Sequence, residues 1–459
     1  MRTVIIGGGI TGLSAAYELV KAGREVTLID AGAKLGGVIQ TDIVEGCVLE
    51  GGPDSFLSAK PAAIELIREI GLGGELIGSN DASRVTYLVK NGRLVPLPDG
   101  LMMMVPTKIL PVVVSSLLSW PTKIRMGLEY FHRPPSQPKP DRTVADFIRE
   151  HYGQETVDYL AEPLLSGVYG GSVEKLSVGS VLTRFVELEK RYGSLTRGVL
   201  ESRKRAPKGG PAVPLFQTLK GGLAQLTDEL VRRIEGKCRV VAGTAESVMR
   251  GDVGYQIKVN GETLAADALI MACPAWQAGA LLRGVNGRLA GLLEAIEYSS
   301  SVTMALGYRR AECGPIPPGF GFLVPSRERK TLVACTFVGA KFPNRVPDSH
   351  VVLRCFLGGA GHEQILDESD ENMIRIVRTE IQALLGWNVE PAFARIHRWR
   401  KSMAQYTVGH AARVASMREI LLDLPGLQLA GNAYDGIGIP DCVRTGRAAA
   451  RAVSAQARS

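Results

Sequence analysis

Residues 4 to 30 leave this chain few ways to begin folding: Val-Ile-Ile-Gly-Gly-Gly-Ile-Thr-Gly-Leu-Ser-Ala-Ala-Tyr-Glu-Leu-Val-Lys-Ala-Gly-Arg-Glu-Val-Thr-Leu-Ile-Asp. Val4, Ile5 and Ile6 form a short apolar run suited to a strand buried on both faces. Gly7, Gly9 and Gly12 follow at GxGxxG spacing. Gly7 permits a tight turn, Gly9 lets the backbone approach a pyrophosphate, and Gly12 lets the next helix pack closely on the sheet. The spacing predicts that helix over residues 12 to 22, with Ile10 and Thr11 at its mouth. Its dipole and free N–H groups would point at phosphates. Gly23 ends it, Glu25 to Ile29 form a second strand, and Asp30 is placed to accept ribose hydroxyls. Nucleotide binding is the expectation; a purely structural βαβ turn is the alternative.

At 459 residues the chain exceeds one ordinary core, so two or three domains are expected. A hydrophobic content of 45% with 22% charged residues excludes disorder, and a net charge of +8 favours anionic partners. Nucleic acid is the weakest candidate and no such partner is expected, because the sequence reads without a basic helix, zinc spacing or RNP-like motif. The seven cysteines never form CxxC and the six histidines never form HxxH. Neither a disulfide framework nor a metal site is expected, and a cytoplasmic protein fits best. No signal peptide is expected, since the would-be apolar region is the Gly-rich turn itself. Leu101 to Phe131 is the most membrane-like stretch, yet its uncharged part is too short to span a bilayer. A core helix pair or peripheral contact at the inner face of the cell membrane are its two readings.

Further along, Asn91-Gly92 between two apolar runs (Val85 to Val89 and Arg93 to Pro96) predicts a type I′ hairpin. Helical patterning dominates from Pro106 to about Leu200, interrupted by the Pro-rich stretch 134 to 140, and Thr143 should cap a helix. Residues 184 to 208 carry eight Lys and Arg against three Glu, read as a solvated loop or a funnel for an acidic substrate. Strands at Arg239 to Ala242, Tyr255 to Val259 and Ala268 to Met271 should resume the first sheet. Strand-like runs between Val302 and Leu357 suggest a separate sheet, with a helix over Glu371 to Leu385 on one face.

The C-terminal block, from Leu429-Ala430-Gly431-Asn432 to Ile439-Pro440-Asp441-Cys442-Val443, is a second strand–Gly–polar turn entering a helix. A long cofactor with a redox ring at its far end can use both helix mouths. Gly431 and Asn432 could bond its middle. Main-chain N–H groups around Ile439, Pro440, Asp441 and Val443 could stabilise charge on a reduced ring.

With this block the sequence resembles the bacterial porphyrinogen oxidases, FAD flavoproteins related to amine oxidases. The resemblance runs end to end, through the fingerprint, Lys34-Leu35-Gly36-Gly37, Gly51-Gly52-Pro53-Asp54-Ser55-Phe56, the stretch Leu160 to Gly171, Leu219 to Leu223 and Gly436 to Asp441. It implies an α/β (α+β overall) fold: a Rossmann-like FAD-binding domain with an inserted mixed-sheet substrate domain and a helical module. The expected bounds are 1–80, 215–275 and 420–459 for the FAD domain, 81–105 and 276–419 for the substrate domain, and 106–214 for the helical module. The implied reaction is a six-electron oxidation of an anionic porphyrinogen to a porphyrin in heme biosynthesis, in three flavin cycles, with O2 or another acceptor. A homodimer is left open.

By the same resemblance Gly7, Gly9, Ile10, Thr11, Gly12, Asp30, Lys34, Gly36 and Gly37 hold FAD, with Gly52, Pro53, Asp54, Ser55, Gly431, Asn432, Ile439, Pro440, Asp441 and Val443. Glu246 would hold the adenine side through its main chain, and Lys34 replaces a family arginine. Gly167 matches the glycine whose backbone nears the reacting carbon, and Leu323 and Phe356 match residues that sandwich a pyrrole. From sequence alone those two read more simply as core. Thr86 stands where protoporphyrinogen enzymes carry an arginine, and Arg84, two residues earlier, would share its strand face. Coproporphyrinogen III is therefore the favoured substrate, with protoporphyrinogen IX as the alternative. Rival readings are a flavin amine oxidase, a phytoene-desaturase-like enzyme and a flavin-free escort protein.

Overall fold

The computed structural model of the protein describes residues 1–137, 139–205 and 213–456. Lys208 of the basic run and Pro138 of the Pro-rich stretch lie outside the described residues. The chain forms two compact units: Met1–Ser79, Pro214–Glu297 and Ala412–Ser459 in the first, Asn80–Val213 and Tyr298–Ala411 in the second.

The first unit is built on an all-parallel sheet ordered Cys238–Ala242, Glu25–Asp30, Arg2–Ile6, Ala268–Met271 and Leu427–Leu429. Helices Ile10–Lys21, Ala62–Glu69, Ala224–Ile234 and Ile439–Gln456 share one apolar core with it, including Leu13, Leu66, Leu226 and Val443. The first helix starts at Ile10, not residue 12, because extended Gly9 serves as its N-cap. The last starts at Ile439, since Pro440 in a first turn forfeits no intrahelical bond.

Tyr255–Val259 does not extend the parallel sheet. It pairs antiparallel with Ala245–Arg250 and Glu262–Ala266 in a separate three-stranded sheet. Its alternation decides this: Tyr255, Ile257 and Val259 are buried while Gln256 and Lys258 are exposed, whereas a central parallel strand is buried on both sides. Helices Ala275–Leu282 and Gly287–Glu294 also belong to the first unit, which runs past the expected bound at 275 to Glu297.

The second unit carries a seven-stranded mixed sheet ordered Phe393–Ala404, Tyr298–Arg309, His350–Gly358, Leu332–Phe337, Gly321–Leu323, Thr86–Lys90 and Arg93–Pro96. Only the Gly321–Leu323 and Thr86–Lys90 pairing is parallel. The Asn91-Gly92 turn has positive φ at both residues, 51° and 70°, as a type I′ hairpin requires. Phe393–Ala404 was not anticipated. It is an edge strand, and its many Arg and Lys residues hide the strand signal while guarding the open edge.

The helical part is compact with this sheet: Leu88 shares a core with Phe147, Leu160 and Leu165. Thr143 accepts from Asp146 N–H (3.0 Å), the expected cap. The basic run is not a loop. It forms helices Thr183–Tyr192 and Leu195–Arg205 joined at Gly193, with Phe185, Leu188, Leu195 and Val199 buried at helical spacing. Counting charge alone concealed that apolar stripe.

Glu129 is fully buried and accepts from the N–H groups of Leu195 (2.6 Å) and Thr196 (3.2 Å) and from the Ser194 hydroxyl (2.9 Å). It therefore serves the mouth of the second of these helices. Its Oε1 also lies 2.8 Å from His151 Nδ1, while His151 Nε2 lies 3.4 Å from Glu189. Glu129, His132 and His151 bring potential metal-ligand atoms within 4.8 Å, but both His151 nitrogens already face carboxylates.

Candidate functional site

In the first unit the two distant ends of the chain converge. The first intrahelical bond of Ile10–Lys21 runs from Leu13 N–H to Gly9 O (2.9 Å), so the N–H groups of Ile10, Thr11 and Gly12 precede the ladder. A Cβ at Gly12 would sit 1.8 Å from Gly7 O, and one at Gly7 (φ +110°) 2.7 Å from Ala272. Strand, turn and helix are therefore pressed together. A Cβ at Gly9, by contrast, would meet nothing within 4 Å. The space in front of these donors is open where a pyrophosphate would need it.

The neighbouring groups complete the cradle. Asp30 accepts from Gly8 N–H (2.6 Å) and Gly32 N–H (2.8 Å), which fixes its carboxylate at the end of the second strand. A carboxylate has lone pairs left for ribose hydroxyls. Gly36 N–H donates to Gly8 O (2.9 Å), and Gly37 lies against Gly9, so the second glycine pair is laid on the first. Asp30 O accepts from Gly243 N–H (2.8 Å), bringing up the turn before Glu246. The Glu246 side chain itself is turned to Gly261 N–H (3.1 Å) and Lys258 (3.3 Å), leaving its main chain as the group available to an adenine. Lys34 is ion-paired with Asp228 at 2.9 Å on the surface, so its charge is offset rather than free for phosphate. A Cβ at Gly52 would fall 1.8 Å from Val38 O, and Ser55 Oγ donates to Asp54 (2.7 Å); Pro53 lies between them.

The C-terminal block reaches the same place. A Cβ at Gly446 would lie 2.3 Å from Thr11 O, and Gly431 N–H donates to the Thr445 hydroxyl (3.2 Å), with Asn432 next in the turn. Arg447 bridges Glu18 (2.9 Å) and Glu69 (2.8 Å). Asp441 is paired with Lys60 at 2.6 Å. The N–H groups of Asp441 and Cys442 close on Gly438 O (2.9 and 3.0 Å) and Pro440 has none. Of the donors expected from Ile439 to Val443, that leaves chiefly Ile439 and the positive helix end. Thr445, Lys60 and Glu50, which accepts from Leu223 N–H at 2.8 Å, escaped the sequence analysis. Glu50 precedes Gly51-Gly52 and Thr445 precedes Gly446, which was the available signal; Lys60 carried none.

In the second unit, strand register sorts the sheet into two faces. Phe322, Cys335, Cys355 and Met304 point into the core shared with helix Asp370–Leu385. On the opposite face Leu88, Leu323, Ala334, Phe356, Thr303 and His397 lie side by side. Two residues along each strand, Thr86, Gly321, Thr336, Arg354, Ala305 and Arg395 form a second row. Half of these twelve positions are small (Thr86, Gly321, Thr336, Ala305, Ala334 and Thr303), so the face is a low floor beside Leu323, which packs against the core of the helical part, and Phe356, whose ring lies 4.6 Å from the Arg354 guanidinium. Both are half-buried, and neither belongs to the core on the helix-covered side.

Helix Glu162–Tyr169 reaches this floor: a Cβ at exposed Gly167 would find Leu323 Cδ2 at 3.7 Å. Ala360 N–H, just beyond the Phe356 strand, donates to Gly170 O (2.9 Å) at the helix end. Gly167, Leu323, Phe356 and Thr86 are thus brought to one face. Arg84 is not. It is exposed, follows a short turn at Asp81–Ser83, and precedes the strand, which begins at Thr86. Strand alternation therefore does not set its direction.

The chain matches the family of flavin containing amine oxidoreductases over residues 10–454. It is 35% identical to the coproporphyrinogen III oxidase of Bacillus subtilis (strain 168), covering 98% of this chain and 97% of that protein. It is 26% identical to protoporphyrinogen oxidase 2, chloroplastic/mitochondrial, of Arabidopsis thaliana, covering 98% of this chain and 93% of that one. A crystal structure from Exiguobacterium sp. 255-15 superposes with a TM-score of 0.88 at 32% identity, covering 100% of this chain and 99% of that chain.

Proposed function

We propose, from the premise that this chain belongs to the flavin containing amine oxidoreductase family, that it is an FAD-dependent oxidase converting coproporphyrinogen III to coproporphyrin III in heme biosynthesis, with O2 as acceptor. Bound FAD supplies a two-electron sink, used three times per macrocycle. The chain supplies binding and orientation. The N–H groups of Ile10, Thr11 and Gly12 hold the pyrophosphate, and Asp30 holds a ribose. Gly36, Gly37, Gly52 to Ser55 and the Gly431–Asn432 turn close around the rest. On the sheet face Leu323 and Phe356 grip a pyrrole while the Gly167 main chain steers a methylene bridge toward the reacting position.

The observation that carries this reading is the low floor flanked by Leu323 and Phe356 and reached by Gly167. Thr86 stands in its second row where the resemblance places an arginine in protoporphyrinogen enzymes, and with the 35% identity to a coproporphyrinogen III oxidase this supports the tetracarboxylate. Side-by-side turnover of coproporphyrinogen III and protoporphyrinogen IX, followed by porphyrin fluorescence and peroxide release, tests it. Coproporphyrin should form with three peroxides per macrocycle. A preference for the dicarboxylate would reverse the substrate assignment, and a purified protein free of flavin would remove the enzyme reading.

We also propose peripheral contact with an anionic membrane surface. Among the described residues no helix is long and apolar enough to cross a membrane. Yet Ile109 is 81% exposed, with Leu110, Val114, Trp120, Ile124 and Phe131 also exposed close by in sequence. Lys123 stands 4.7 Å over the Trp120 ring, a pairing of apolar and cationic groups suited to a headgroup interface. The protein should sediment with vesicles of anionic lipid and not with zwitterionic ones. Recovery in the supernatant with both would end the proposal.

A further inference from the structure

We propose that the Glu162–Arg329 ion pair is a positioning element that sets the spacing between the Gly167 backbone and Leu323, and so the placement of substrate. It rests on the reading of Gly167 as the backbone that steers the methylene bridge.

Glu162 opens helix Glu162–Tyr169, and Arg329 lies in the turn that follows strand Gly321–Leu323. Arg329 Nη2 donates to Glu162 Oε1 (2.9 Å) and to Val324 O (3.1 Å), while Ser326 N–H donates to Glu162 Oε2 (2.9 Å). Both side chains are sheltered, at 7% exposed for Arg329 and 13% for Glu162. Five residues on, about 7.5 Å along a helix rising ~1.5 Å per residue, the same helix passes Leu323 at Gly167, where a Cβ, absent in glycine, would find Leu323 Cδ2 at 3.7 Å. The ion pair thus fastens the start of this helix to the turn that continues the Leu323 strand, and through the rigid helix it sets how Gly167 stands over Leu323. The ion pair is the direct tie, because Gly167 has no side chain with which to hold Leu323.

The same turn gathers the third substrate-facing segment. Glu328 accepts from Asn91 N–H (2.9 Å), at the end of the strand that carries Thr86, and from the Tyr159 hydroxyl (3.3 Å). A parallel link, Arg327 to Asp158 at 2.9 Å, has its arginine 60% exposed and is screened by water. It supplies a matched control.

Removing one partner of a sheltered pair strands the other's charge, so the neutral double variant Glu162→Gln/Arg329→Met keeps the fold testable. Arg329→Met, the double variant, Arg329→Lys and Arg327→Ala would be compared with wild type for kcat, KM and hydrogen exchange at residues 164–170. Arg329→Met and the double variant should lose about tenfold or more in kcat with KM little changed, since misplacement by ~1 Å is enough for such losses. Their Gly167 helix amides should exchange faster at unchanged flavin content. Arg329→Lys, which keeps the positive charge, should recover most activity, and Arg327→Ala should match wild type. A double variant with wild-type kcat, a change in KM alone, or unaltered exchange at 164–170 would overturn the proposal. If wild type itself fails to oxidise porphyrinogen, the functional reading fails, while the exchange data still report on the tie.

Discussion

A Gly9→Ala variant is expected to fold and to lose most of its flavin. The added methyl meets no protein atom within 4 Å and Gly9 has a φ of −70°, so the backbone accepts alanine. The stability cost is that of a poorer N-cap, about 1 kcal/mol. The methyl does enter the space before the N–H groups of Ile10, Thr11 and Gly12. Displacing a phosphate from two such donors, at ~1.5–3 kcal/mol for each bond to a charged group, implies an affinity loss of roughly 100-fold or more. Gly12→Ala should behave oppositely. Its methyl would lie 1.8 Å from Gly7 O, a backbone atom held in the strand-to-helix turn. Helix and strand would have to part, at a cost above about 3 kcal/mol. Flavin absorbance per protein, read beside thermal melts of flavin-stripped protein, separates the two. A Gly9→Ala protein with full flavin would show that the pyrophosphate lies elsewhere.

Glu129→Ala should be the most damaging single change in the helical part of the second unit, destabilising it by about 3–5 kcal/mol. It leaves the N–H groups of Leu195 and Thr196 unmet and His151 short of a buried carboxylate. Burial opposes the charge on all three members of this cluster, but their mutual bonds prevail. Burial lowers the His151 pKa, yet hydrogen bonds to Glu129 and Glu189 leave it raised. Burial raises Glu129, yet bonds to His151 and Thr196 leave it lowered. Glu189, likewise opposed by burial, is brought down to about 2 by His151, Lys139 and Arg142.

The pH dependence follows from these directions. The His151 contribution is complete below the ordinary histidine value of about 6.5 and fades as pH rises through its raised pKa. The Glu189 contribution is complete above its ordinary value of about 4.3 and fades as pH falls toward about 2. Wild type should therefore lose stability on the alkaline side. His151→Gln, a neutral group of similar reach, should flatten that limb. Melting temperature against pH for both proteins checks it, and equal alkaline slopes would refute the assignment to His151.

The βαβ fingerprint, the type I′ turn at Asn91-Gly92 and the Thr143 cap were legible because each is a contract among residues close in sequence. A glycine at a positive φ, or a hydroxyl three residues before an N–H, needs no distant partner. The sequence by itself thus determined the nucleotide cradle, the reach of the C-terminal block toward it, and the chemistry of the apolar and glycine positions. Only the tertiary structure decided which sheet Tyr255–Val259 joins, that the basic run is a helical hairpin, and that Arg84 stands outside the strand of Thr86. It alone decided which face Leu323 and Phe356 occupy, and that Arg329 would meet Glu162, 167 positions earlier in the chain. Those outcomes depend on register and on partners far away in the chain, and a run of side chains carries no record of which remote strand it will lie beside.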